Sequence, residues 1–208
     1  MSDYILYDFP RSSASYRVRI ALALKGIDYQ TQSIDLRAGE QRAPDYVSLA
    51  SAGLVPSLRL PNGTILTQSL AIMRFLDSVA EPSLFPSDPL ADAHVSALAL
   101  TIACDIHPLN NLRVLGYLQA ELAVSENARA GWYTHWVQTG FTALETAIIK
   151  HGGLYCFGDI ISATDVCLVP QMANARRFNV DVGAFPRLSE INDRLCRLPP
   201  FMTAAPLP

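Results

Sequence analysis

Every strong strand signal in this chain falls before residue 68, and from there to the end the apolar residues recur at helical spacing. That division implies an α/β part followed by an all-α part. The 208 residues allow one large domain or two small ones, at about 100–200 residues each. Half of them are apolar and 17% are charged, which is enough material for a buried core and excludes disorder as the main state.

Tyr4-Ile5-Leu6-Tyr7 is short and rich in β-formers, and Phe9-Pro10 ends it. The small hydroxyl residues Ser12, Ser13 and Ser15 then stand where a helix N-terminus belongs. Val18, Ala21, Leu22 and Leu24 mark the buried side of a helix over Tyr16–Lys25, and Gly26 stops it. A second strand over Asp28–Leu36 completes a β-loop-α-β unit, which implies a right-handed crossover and a parallel strand pair. After the polar stretch Arg37–Asp45, Leu54–Leu60 reads as a strand entered through Val55-Pro56. Asn62-Gly63 favours a hairpin turn, Ile65–Thr67 returns, and Gln68–Val79 is helical in pattern. The order βαβ, then ββα, is the thioredoxin-like arrangement.

Glu81–Pro89 holds Pro82, Pro86 and Pro89 without periodicity. The expected domains are therefore residues 1–80, a linker over 81–89, and a helical domain over 90–208. Ala91–Leu122 reads as one long helix kinked at Pro108, and Ser125–Lys150 as a second, stopped by Gly152-Gly153. Ser162-Ala163-Thr164-Asp165 is close to a capping box and opens a helix to about Phe178. A last helix is expected from about Pro186 to just before Pro199-Pro200.

The net charge of -3 argues against a nucleic-acid partner. Asp3, Asp8 and Arg11 argue against a signal peptide, and no apolar run is expected to reach the roughly 20 residues that span a bilayer. The four cysteines lack C-x-x-C spacing and read as core thiols of a cytoplasmic protein. His94, His135 and His151 lack partners at ligand spacing, so no metal is expected.

Several local patterns can carry chemistry, and each has a plainer structural reading. Ser12-Ser13-Ala14-Ser15 is an N-cap worth about 1 kcal/mol, or a site where a helix N-terminus and a hydroxyl stabilise an anion. With no cysteine there, a stabilised thiolate would belong to a ligand. Val55-Pro56 is an ordinary strand entry, or a cis-proline that leaves the Val55 backbone for a peptide ligand. Gln68-Ser69 caps a helix, or receives a charged amino-acid head group. His107 and Asn111 flank Pro108, and Arg176-Arg177 close a helix whose negative pole they can cap.

Taken together the chain resembles the zeta class of glutathione transferases, the group that contains maleylacetoacetate and maleylpyruvate isomerases. The matching segments are RSSASYRVRIALALKGIDY, LVPSL, QSLAI, CDIHPLNNLRVLGYL and YCFGDIISATDVCLVPQMANARRFNVD. The resemblance implies an α/β thioredoxin-like N-terminal domain that binds glutathione, an all-α C-terminal domain for the second substrate, and a homodimer. It implies that Ser12 and Ser13 stabilise the glutathione thiolate. Gln41 would reach the glycyl end, Val55 before cis-Pro56 the cysteinyl unit, and Gln68 and Ser69 the γ-glutamyl carboxylate and amine. His107 and Asn111 match glutathione contacts, from this or the partner chain. Arg11, Arg113 and Arg177 match positions that bind the carboxylates of a maleyl diacid. Two departures stand out: Ala14 replaces the family's cysteine, and Ala50-Ser51 replaces its Asn-Pro.

The activity so implied is glutathione-dependent cis–trans isomerisation of maleylacetoacetate to fumarylacetoacetate. Maleylpyruvate isomerisation, general glutathione conjugation, and non-catalytic glutathione binding are the alternatives that the residues leave open.

Overall fold

The computed structural model describes residues 3–206. In chain order the elements are β1 (Ile5–Asp8), α1 (Ser13–Leu24), β2 (Gln30–Ser33), α2 (Pro44–Leu49), β3 (Ser57–Arg59), β4 (Ile65–Thr67) and α3 (Ser69–Val79). There follow α4 (Pro89–Leu100), α5 (Leu112–Ala120), α6 (Glu126–His151), α7 (Ala163–Arg177), α8 (Pro186–Leu195) and α9 (Pro199–Ala204). The chain divides into two compact units. One holds the residues up to Leu84 and the segment from Leu198 onward; the other is Phe85–Arg197.

The first unit is built on a sheet of order β2-β1-β3-β4. β1 runs parallel to β2, with Ile5 opposite Gln30, and antiparallel to β3, with Leu6 opposite Leu58. The β3–β4 hairpin turns at Gly63, whose φ of 85° suits a residue without Cβ. Because side chains alternate along a strand, Ile5 and Tyr7 join a cluster with Ile34, Tyr46 and Ala50, while Leu6 points to the opposite face. Leu6 and Leu58 are fully buried there, and α1 and α3, packed on each other, bury Val18, Leu22, Ile72, Met73 and Leu76. Each such side chain contributes about 1.5–3 kcal/mol of transfer free energy.

Four expectations change in this unit. The second and third strands are shorter than the sequence suggests. The polar stretch after Arg37 is not loop throughout: Glu40–Arg42 forms a 3₁₀ turn and Pro44–Leu49 becomes α2. Tyr46 holds α2 in place, with its ring buried and its hydroxyl on the Leu54 carbonyl (2.7 Å) and the Ser57 hydroxyl (3.0 Å). Pro199-Pro200 does not merely end the chain's helices but opens α9, with proline in the first turn where its missing N–H costs nothing. Phe201 and Ala204 are buried, and the Phe201 and Ala204 carbonyls accept from the Tyr16 hydroxyl and Arg19 Nε. These contacts place α9 with the first unit, so the expected helical domain over 90–208 loses its last segment.

The second unit is all helical among the described residues. The single kinked helix expected over Ala91–Leu122 is instead broken into pieces. α4 ends at Leu100, a π-helical turn covers Thr101–Ile106, a 3₁₀ turn covers Pro108–Asn110, and α5 begins at Leu112. Pro108 has no N–H to donate back, so the chain reorganises around it. Taken together, Pro89–Ala120 is long and apolar enough to cross a membrane, contrary to the sequence expectation. Its buried residues, however, form the unit's own core, with Val95, Ala99, Ile102 and Ile106 fully enclosed. The capping box at α7 is present: Asp165 accepts from the Ser162 N–H and hydroxyl, both at 2.8 Å, and from the Cys156 N–H at 2.9 Å.

Candidate active site

The hydroxyl turn sits at the start of α1. Ser12 is the N-cap, and its Oγ accepts the Ser15 N–H at 3.2 Å. That contact uses a lone pair only, so the Ser12 proton finds no acceptor among the described residues. Ser13 is the first helical residue and is buried. No acidic residue lies in the first turn, and Arg11 stands exposed just before it. The positive end of the helix dipole, a hydroxyl with a proton to donate and a guanidinium therefore share one turn, which suits an incoming anion.

The first unit presents further features in its other loops and turns. The Val55-Pro56 peptide bond is cis. Gln41 lies in the 3₁₀ turn with its Oε1 buried and without a partner. Gly53, at φ +58°, lets its loop approach so closely that an added Cβ would sit 3.0 Å from the Gln41 carbonyl oxygen. At the mouth of α3, Gln68 adopts φ 67° and ψ 115°, a region non-glycine residues seldom occupy and one that costs about 1–3 kcal/mol. Gln68 is exposed and gives α3 no side-chain cap, while Ser69 is buried with its Oγ accepting from Arg17 Nη1 at 3.2 Å.

The other predicted residues lie in the second unit. His107 follows the π-helical turn, and its Nε2 is 3.4 Å from Asn111 Nδ2. Asn111 is the N-cap of α5, its Oδ1 accepting the Arg113 N–H at 3.1 Å, and Arg113 itself is exposed. Arg177 ends α7; its Nη2 donates to Asn174 Oδ1 at 2.8 Å and its guanidinium lies 5.1 Å from the Phe178 ring centre.

Sequence reasoning missed what joins these residues. Trp132 Nε1 donates to the Leu109 carbonyl at 2.8 Å, and Asn110 Nδ2 donates to the Tyr133 carbonyl at 3.4 Å, so α6 pins the turn that carries His107 and Asn111. The Tyr133 ring stacks on Phe178 with centroids 4.2 Å apart. Burial pushes the Tyr133 hydroxyl up to about 12, against the opposing pull of Arg177. A neutral phenol and a cation therefore border the same corner. The stripe Tyr133, Val137, Phe141 was the available signal, but a stripe at that spacing reads first as core.

The Glutathione S-transferase N-terminal domain family matches residues 11–79, which span the hydroxyl turn, the cis-proline and the start of α3. Over 209 aligned residues the chain is 44% identical to a probable maleylacetoacetate isomerase of Vibrio cholerae, covering 99% of this chain and 97% of that one. The chain belongs to the zeta-class maleylacetoacetate isomerase family of glutathione transferases. Two solved members of this family superpose on nearly the whole chain. A zeta-class bacterial maleylpyruvate isomerase in its holo form gives a TM-score of 0.94 at 38% identity, covering 97% of this chain and 96% of that one. Maleylacetoacetate isomerase from Methylobacterium extorquens AM1, solved with malonate and glutathione bound, gives 0.94 at 35% identity, covering 98% and 96%.

Proposed function

We propose that this protein is a glutathione-dependent cis–trans isomerase of maleyl keto diacids, converting maleylacetoacetate to fumarylacetoacetate. The likeness to maleylacetoacetate isomerases over the whole chain carries this reading. The residues present fit the tripeptide: Ser12 has a proton to give, Gln41 has an orphaned buried oxygen, and Ser69 opens a helix without a side-chain cap.

When bound, glutathione supplies a thiolate that adds reversibly to the alkene, so that the former double bond can turn before the thiolate leaves. Ser12 donates its hydroxyl proton towards the sulfur, with Ser13 beside it at the positive end of α1. An ordinary thiol has a pKa of about 8.5, and the helix end contributes only about 0.3–1 kcal/mol, so the hydroxyl must supply most of the lowering. Gln41, Val55, Gln68 and Ser69 hold the peptide, with His107 and Asn111 as further contacts. Arg11, Arg113 and Arg177 receive the two carboxylates of the diacid and favour the negative charge that develops on its carbonyl oxygen.

The same reading makes the protein a cytoplasmic homodimer. All four cysteines are thiols, in keeping with a reducing compartment. Leu90, Leu100 and Tyr117 are exposed apolar side chains that a second copy could cover. The test is glutathione-dependent loss of maleylacetoacetate absorbance, run beside maleylpyruvate and beside conjugation of a neutral aryl halide. Turnover of the aryl halide alone would replace the isomerase with a general conjugating enzyme. Glutathione binding with no turnover of any of them would leave only a binding protein.

A further inference from the structure

Helix α1 buries two arginines, Arg17 at 1% and Arg19 at 8% exposure, and the protein treats them differently. Arg19 is fully served. Its Nη1 meets both oxygens of Asp8 at 2.7 and 2.8 Å, its Nε the Ala204 carbonyl at 2.9 Å, and its Nη2 the Pro10 carbonyl at 3.0 Å. Arg17 has one contact, Nη1 to Ser69 Oγ at 3.2 Å. Its Nε and Nη2 are buried without a partner, and no described carboxylate pairs with it.

A buried guanidinium with no counter-charge is costly, so its retention calls for an anion that the chain itself does not provide. The geometry indicates where that anion would sit. Arg17 reaches the first residue of α3, whose early N–H groups have no side-chain cap and carry the positive end of the helix dipole. Ser69 Oγ already accepts from Arg17, so its own proton is left for an acceptor on the far side. Guanidinium, hydroxyl and helix terminus thus form one polarised path ending at the mouth of α3.

We propose that Arg17 is a positioning residue for the free carboxylate of glutathione's γ-glutamyl unit, acting through the Ser69 hydroxyl. This rests on the glutathione reading above and adds to it the source of the positive charge. Ser13 and Arg17 stand one helical turn apart on α1, so the helix that presents the thiolate turn also supplies the charge behind the head group.

The experiment is calorimetric binding of glutathione and of γ-aminobutyryl-cysteinyl-glycine, which keeps the amine, thiol and glycyl end but lacks that carboxylate. Wild type, Arg17→Met and Arg17→Lys are compared, and each is also melted without ligand. Wild type is expected to prefer glutathione by about tenfold or more, the scale of a charge-assisted hydrogen bond. Arg17→Met should cut the preference several-fold, to what the Ser69 hydroxyl and the helix end supply alone, while keeping the weaker affinity for the analogue, and Arg17→Lys should restore part of it. Without ligand, Arg17→Met should melt no lower than wild type, because it removes an unpaired buried charge. Equal loss of both peptides in Arg17→Met, or equal binding of both by wild type, would overturn the proposal. So would failure of both variants to fold, since the cation would then be holding the fold itself. Wild type that binds neither peptide would instead refute the glutathione reading, and this inference with it.

Discussion

Replacing Ser12 by alanine should separate two roles held by one hydroxyl. Its oxygen caps α1 by accepting the Ser15 N–H at 3.2 Å, and its proton is undirected within the described protein. Loss of the cap costs about 1 kcal/mol, which lowers the melting temperature by roughly 2–4 °C for a chain of this size. Loss of the donor acts on bound glutathione. A hydrogen bond to a charged group is worth about 1.5–3 kcal/mol, so the thiol pKa should rise by about 1–2 pH units. At neutral pH the thiolate fraction, and the isomerisation rate with it, should then fall by about eight- to twenty-five-fold as the thiol returns towards its ordinary value of about 8.5, and recover as the pH is raised. Ultraviolet thiolate absorbance of the saturated complex, titrated against pH in wild type, Ser12→Ala and Ser12→Thr, reads this directly. Threonine keeps cap and donor and should titrate near wild type. An unchanged titration in Ser12→Ala, accompanied by the small loss of stability, would refute the donor role and reduce Ser12 to a cap.

Arg113→Lys and Arg177→Lys should each lower kcat/KM for the diacid by about tenfold, because lysine cannot reproduce the bidentate fork. Conjugation of a neutral aryl halide and glutathione affinity should stay near wild type; equal loss of both activities would make these arginines structural. Asp165→Ala strips acceptors from two buried N–H groups and one hydroxyl and should cost about 3 kcal/mol or more by chemical denaturation, whatever the ligand. Burial and the nearby Asp165 push the Cys156 thiol well up, and Cys167 is likewise enclosed, so a thiol reagent should label the exposed Cys104 and Cys196 first and Cys156 and Cys167 only on unfolding. A variant without cysteines that folds should keep its isomerase activity, since none of the four lies in the hydroxyl turn.

What could be read from the chain was local. The Ser12 cap, the Asn62-Gly63 hairpin, the Ser162–Asp165 box and the ends of α6 depend on residues a few positions apart, and the structure places each within a residue or two. Element order then followed from the crossover rule, which required β1 and β2 to be parallel. The hydroxyl turn was visible because capping residues and anion-binding residues are the same types.

Tertiary structure decided whatever depended on a distant partner. α2 exists because Tyr46 reaches the Leu54 carbonyl and Ser57, and α9 because Phe201 and the Ala204 carbonyl dock on α1. Neither signal lies in its own segment, where prolines and polar residues suggest loop. The fate of Arg17 and Arg19 was hidden for the same reason. Nothing in their own segment distinguishes the two, and only folding shows that Asp8 neutralises one while the other is left behind Ser69. Sequence fixes propensity over a few residues, but whether a charge is paired or stranded depends on which parts of the chain burial brings together.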